Sequence, residues 1–151
     1  MKLTPIKSAL AILLIAAAVF GVQKLAGGRG HADYLAVGPA VDGIVTLPVA
    51  DLGPLDVRYY RYRAPDRAEL LFFAARAARG VLQGAFDASP SHYKLQRGFR
   101  IEGAWVTDNK CDSTMRLSEV NAGATGCRPA PLAHQIEDGQ LVIREADLLT
   151  G

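Results

Sequence analysis

Leu70–Ala88 reads LLFFAARAARGVLQGAFDA, and the fold turns on its middle. Glu69–Arg79 has the Ala, Leu, Glu and Arg content of a helix, and Gly80 would end one well. Yet Leu70–Phe73 is a solid apolar block, and a second apolar run, Val81–Phe86, follows directly. A strand, a turn centred on Ala78–Gly80 and a return strand fit the same residues. Propensity leans to helix, and the residues alone leave both readings open.

Outward from this stretch the pattern is mostly strand. Upstream, Gly43–Val49 is short and β-branched. Val57–Arg63 alternates, with Arg58, Tyr60 and Tyr62 on one face and Val57, Tyr59, Arg61 and Arg63 on the other. The three tyrosines are expected to pack in the sheet. Downstream, Phe99–Thr107 reads as a strand broken by Gly103, and Gln140–Arg144 as a last short strand. A short helix is expected near Ser113–Val120. Trp105 is expected in the core, and Asp87 at a strand end is expected to fix a turn. Arg61, Arg63, Arg67, Arg76 and Arg79 read as a solvated face. The fold class is therefore mainly β (or α+β): a small domain of antiparallel strands with long loops.

The N-terminus is different. Lys2 and Lys7 precede an unbroken apolar run, Ala9–Val22, ended by Gln23 and Lys24. A positive start followed by such a run is an export signal. Counted from Ile6, with Lys7 snorkelling, it reaches the low end of the roughly 17 to 25 residues that span a bilayer core. Residues 1–24 are thus expected to be a transmembrane signal-anchor or a cleaved signal helix. Ala26, Gly27, Gly28 and Ala32 offer small residues for a cut. Residues 25–40, rich in glycine and small residues, read as a linker, and 41–151 as the folded domain. The domain is placed outside the cytoplasm, in a bacterium on the periplasmic side of a single inner-membrane span. The alternative is release into the periplasm or medium after cleavage.

Composition narrows the function by exclusion. Half of the 151 residues are hydrophobic, ample for a core, and the formal net charge is only +2. No basic run is interleaved with aromatics, so nucleic acid is not an expected partner. There is no G-x-S-x-G, P-loop, H-E-x-x-H or Rossmann glycine pattern, and thus no catalytic signature.

From Leu70 onward the order of motifs resembles the membrane iron–sulfur FtrD-like family. That family has a hydrophobic strand, a glycine turn and a return strand ending in Ala-Phe-Asp-Ala, here Ala85–Ala88, and the resemblance favours the hairpin over the helix. A CxxC pair follows in the family, here Ser89, Pro90, Ser91 and His92. Gly98, Phe99 and Gly103 match next, then a second CxxC, here Asp108, Asn109, Lys110 and Cys111. GCRPAPL at Gly126–Leu132 is the most specific piece, and EDGQLVI with Asp147 and Leu148 closes the match. No insertion is needed from Leu70 to Cys111. The resemblance implies a membrane-anchored extracytoplasmic domain, in several members linked with ferrous-iron uptake and a proposed electron-accepting role. It implies a metal permease or redox protein as partner.

The departures bear on the chemistry. Two CxxC turns grip a metal because thiolates two residues apart converge on one ion. Here Ser89, His92, Asp108 and Cys111 occupy those four positions, with the fifth family cysteine at Cys127. Clusters need four thiolates, with histidine a known substitute, so an intact iron–sulfur cluster is not carried over. Three readings stay open. Cys111 and Cys127 form a disulfide, whose loop of fifteen intervening residues is worth roughly 3 kcal/mol in the chain-entropy model. Or Cys111, Cys127, His92 and Asp108, with His134 as a further candidate, bind one ion of iron, copper or zinc. Or both thiols are buried and unreacted. His31, in the linker, reads as solvated, and His134 as an ordinary histidine.

Overall fold

The computed structural model describes residues 33–64, 69–91, 97–123 and 125–150. All belong to one compact unit, Ala32–Gly151. The expected N-terminal helix, His31 and His92 lie outside the described residues. Among the described residues no helix is long and apolar enough to cross a membrane.

The domain is mainly β. Its strands are β1 Leu35–Ala36, β2 Ile44–Pro48, β3 Val57–Arg63, β4 Glu69–Arg76, β5 Leu82–Phe86, β6 Phe99–Glu102, β7 Trp105–Asp108, β8 Thr114–Arg116, β9 Gln135–Glu137 and β10 Gln140–Arg144. They form three small sheets ordered β1-β3-β4-β5, β2-β10-β9 and β6-β7-β8. Every neighbour pair is antiparallel except β1 with β3. Leu35–Ala36 lies in the stretch expected to be linker, yet it pairs with Tyr60–Arg61.

The deciding stretch is a hairpin. Arg76 pairs with Leu82, and Ala77 N–H donates to Val81 O across a turn in which Gly80 takes φ 86°. Helix propensity loses because β4 is covered on both faces. Leu70, Phe72 and Ala74 enter one core cluster; Phe73 and Ala75 enter another. A strand buried on two sides reads as an unbroken apolar run, which is the block at Leu70–Phe73.

The first cluster joins this face of the central sheet to Val45 and Leu47 of β2, Leu141 and Ile143 of β10, and Leu148. Leu148 ends a one-turn helix, α1, Glu145–Leu148. Tyr60 and Tyr62 point into the cluster as the alternation of β3 requires, and Tyr60 stacks on Phe72 with ring centroids 5.3 Å apart. The second cluster joins Phe73, Ala75 and Ala85 to Phe99, Val106, Met115, Leu117 and Val120 of the β6-β7-β8 region.

Three local expectations are corrected. Trp105 is 49% exposed, because the two-residue period of β7 turns Val106 inward and Trp105 outward, where Arg116 lies 5.3 Å over its ring. Ser113–Val120 is not one helix but β8 followed by a 3-10 turn, Leu117–Glu119. Arg76 is not merely solvated: its guanidinium donates to the carbonyls of Leu52, Gly80 and Val49. It thereby closes the loop between β2 and β3 onto the hairpin.

Candidate metal-ligand cluster and disulfide

β7 ends at Asp108, and the chain turns at once. Asp108 N–H donates to Ser113 O, and Asp112 N–H to Asp108 O, both at 3.0 Å. Asp112 takes φ 52°, a left-handed conformation that aspartate tolerates. One Asp108 oxygen, Oδ1, accepts the amides of Lys110 at 2.7 Å and Cys111 at 2.8 Å. The amides of such a turn aim at the side chain that opens it, and a carboxylate there receives them as an anion should. Asn109 holds the turn against Arg97 O and Gly98 O.

The second anchor is Asp87, one residue past β5 and 2% exposed. Its Oδ1 accepts Phe99 N–H at 2.7 Å, and its Oδ2 accepts the Tyr34 hydroxyl. It therefore fastens β6 and the segment before β1, rather than a turn of its own. Ser89 is 3% exposed and lines a cavity of about 10 Å³ with Arg97, Gly98, Asp108 and Lys110. Ser91 Oγ donates to Gly126 O at 3.0 Å. Thus the segments beginning at Ser89, Asp108 and Gly126 meet at one place.

There Cys111 and Cys127 are joined by a disulfide, with Cα atoms 6.4 Å apart. Neither cysteine is buried, whereas Asp108 is. A carboxylate oxygen of Asp108 and the two sulfurs all lie within 4.8 Å of one another, a possible metal-binding group. His134 is not part of it. Its Nδ1 lies 2.7 Å from Leu132 O, and its ring packs over Gly84 and lines a separate groove of about 820 Å³ on the outer face of the β2-β10-β9 sheet.

Burial raises the Asp87 carboxyl above the usual carboxylate range; the bonds from Tyr34 and Phe99 oppose this, and the Asp108 charge adds to it. Burial likewise pushes the Tyr34 and Tyr59 phenols upward, helped by the Asp87 charge. Sequence reasoning missed Tyr34 and the partners of Asp87. The one signal was Asp87 within Ala85–Ala88.

A pH dependence follows. The folded pKa of Asp87 lies above its ordinary 3.8, so between those two values the native state holds more protons than the unfolded chain. The contribution of this group is most favourable below 3.8 and declines as pH rises through the raised value. Thermal unfolding of the wild type and of Asp87→Asn, scanned from acid to neutral pH, should show the wild type losing ground to the variant as pH rises. A difference independent of pH would remove the buried-charge account of Asp87.

Residues 54–151, well over half of the chain, match the family described as membrane iron–sulfur containing protein, FtrD-like. No curated protein and no solved structure matches. Among the described residues, the donors that align with the cysteines of the resemblance do not fit a cluster. Ser89 offers a hydroxyl, Asp108 a carboxylate already holding two amides, and Cys111 and Cys127 two sulfurs bonded to each other. Clusters are held by thiolates, with histidine the known substitute.

Proposed function

The chain belongs to the FtrD-like family, and from that premise we propose that it is a membrane-anchored periplasmic accessory domain for handling iron or copper ions or for redox transfer, working without an iron–sulfur cluster. Residues 1–24 are the single inner-membrane span, a short tether follows, and the compact unit Ala32–Gly151 is the working domain, which serves a metal permease or a redox protein. The observation that carries this reading is the convergence of Asp108, Cys111 and Cys127 at the family's ligand positions. Asp108 keeps a carboxylate there, and the two sulfurs, joined as a disulfide, become donors only on reduction. A cell test is direct. A strain lacking the chain should take up ferrous iron or copper more slowly when the metal is scarce, and protease added outside the inner membrane should remove the domain. Unchanged uptake of both metals, or a protected domain, would count against the proposal.

One observation favours a second reading. The disulfide suits a stapled structural or protein-interaction domain with no metal, since small extracytoplasmic domains use such bonds in place of core. That reading expects normal uptake of both metals in the deletion strain.

A further inference from the structure

We propose that the Cys111–Cys127 disulfide is a redox latch: oxidised, it closes the site, and reduced by a dithiol, it opens a three-donor site for one borderline divalent cation of the zinc and ferrous class. The proposal rests on the metal-handling reading above and adds its regulation. The donors would be the two sulfurs and a carboxylate oxygen of Asp108, which already lie within 4.8 Å of one another. Two thiolates and one carboxylate match the ligand preference of such ions.

The latch is reachable. Neither cysteine is buried, and exposed disulfides are the ones that exchange readily. A dithiol gives two electrons and two protons to the bond. The S–S bond breaks, Cys111 and Cys127 become thiols, and the dithiol leaves as its own disulfide. The cation then displaces the two thiol protons. Thiolates sharing a tetrahedral zinc ion stand about 3.8 Å apart, a separation that side-chain torsions can set between Cα atoms 6.4 Å apart.

The surrounding structure holds the thiols together after reduction. On the Cys111 side, Thr114–Arg116 stays paired with β7, and Met115, Leu117 and Val120 stay in the second core cluster. On the Cys127 side, Asn121 donates to Gly84 O and accepts from Leu132 N–H, Ala130 N–H donates to Ala88 O, and Leu132 is buried in the first cluster. Asp108 keeps its place through its two turn amides. Two thiolates, a carboxylate and a divalent ion sum to one negative charge, and Arg97 and Lys110 line the small cavity beside Asp108. The disulfide is thus not the only tie between these segments.

The test uses the full chain in detergent, oxidised or reduced by a phosphine, titrated anaerobically with Co²⁺ as the spectroscopic probe. The expected result is one equivalent bound only after reduction, with a thiolate-to-cobalt charge-transfer band. Cys111→Ser/Cys127→Ser should abolish that band, and Asp108→Asn should weaken binding at least about tenfold, the loss of one charged donor. Equal binding by oxidised and reduced protein would overturn the latch while leaving metal handling in place. Binding in neither state would overturn both. A reduced chain that loses its folded circular-dichroism spectrum would also overturn the latch, since the site depends on the fold surviving reduction.

Discussion

Phe73→Ala should lower the free energy of unfolding by about 3–5 kcal/mol, the range for emptying a fully buried aromatic site. Phe73 has no solvent exposure and sits in the cluster that joins β4 to Phe99, Val106, Met115, Leu117 and Val120. Its ring lies 5.9 Å from that of Tyr59, whose hydroxyl donates to Phe99 O. The cavity would open under β6 and β7, the two strands that present Gly98 and Asp108. The loss should therefore reach the candidate site as well as global stability. Chemical denaturation with linear extrapolation measures the first, and amide exchange of Phe99 and Cys111 the second. A cost below about 1 kcal/mol would mean that the cluster collapses around the smaller residue and carries less than its burial implies.

Gly98→Ala is the second large effect. Gly98 takes φ 59°, where a side chain costs roughly 1–2 kcal/mol. A Cβ there would also stand 2.6 Å from Asp87 Oδ2 and 2.8 Å from its Cγ and Oδ1. Asp87 is hemmed in by Tyr34 and Phe99, so it must give up a hydrogen bond to make room. A bond to a charged acceptor is worth roughly 1.5–3 kcal/mol, and the sum is about 2.5–5 kcal/mol. Gly103 is the internal control. It has the same φ of 59°, but nothing lies within 4 Å of its Cβ position. Gly103→Ala should lose only the backbone part, about 1–2 kcal/mol. Equal losses in the two variants, read by the same denaturation, would show that the Asp87 contact has no weight.

Much of the fold was legible because burial leaves a period in the sequence. Val57–Arg63 and Gln140–Arg144 are strands over the expected bounds, since alternation and β-branched content survive any tertiary context. Glu69–Arg79 was ambiguous for a physical reason. Alanine and leucine favour a helix only while the segment has a polar side to show, and this one is covered on both faces by partners distant in sequence. Trp105 was misplaced because size argues for burial, while the register of β7 decides which neighbour turns inward.

The candidate site divides along the same line. The resemblance to the family, carried by motifs local in sequence, singled out Ser89, Asp108, Cys111 and Cys127. By itself the sequence determined the family, since GCRPAPL and the spaced glycines are local signals. The tertiary structure alone decided what those residues do together. It brought Cys127 to Cys111, set Asp108 within 4.8 Å of both sulfurs, and drew Tyr34 out of an expected linker onto Asp87. Each of these meetings depends on chain segments closing over a core, and no local pattern of residues records that closure.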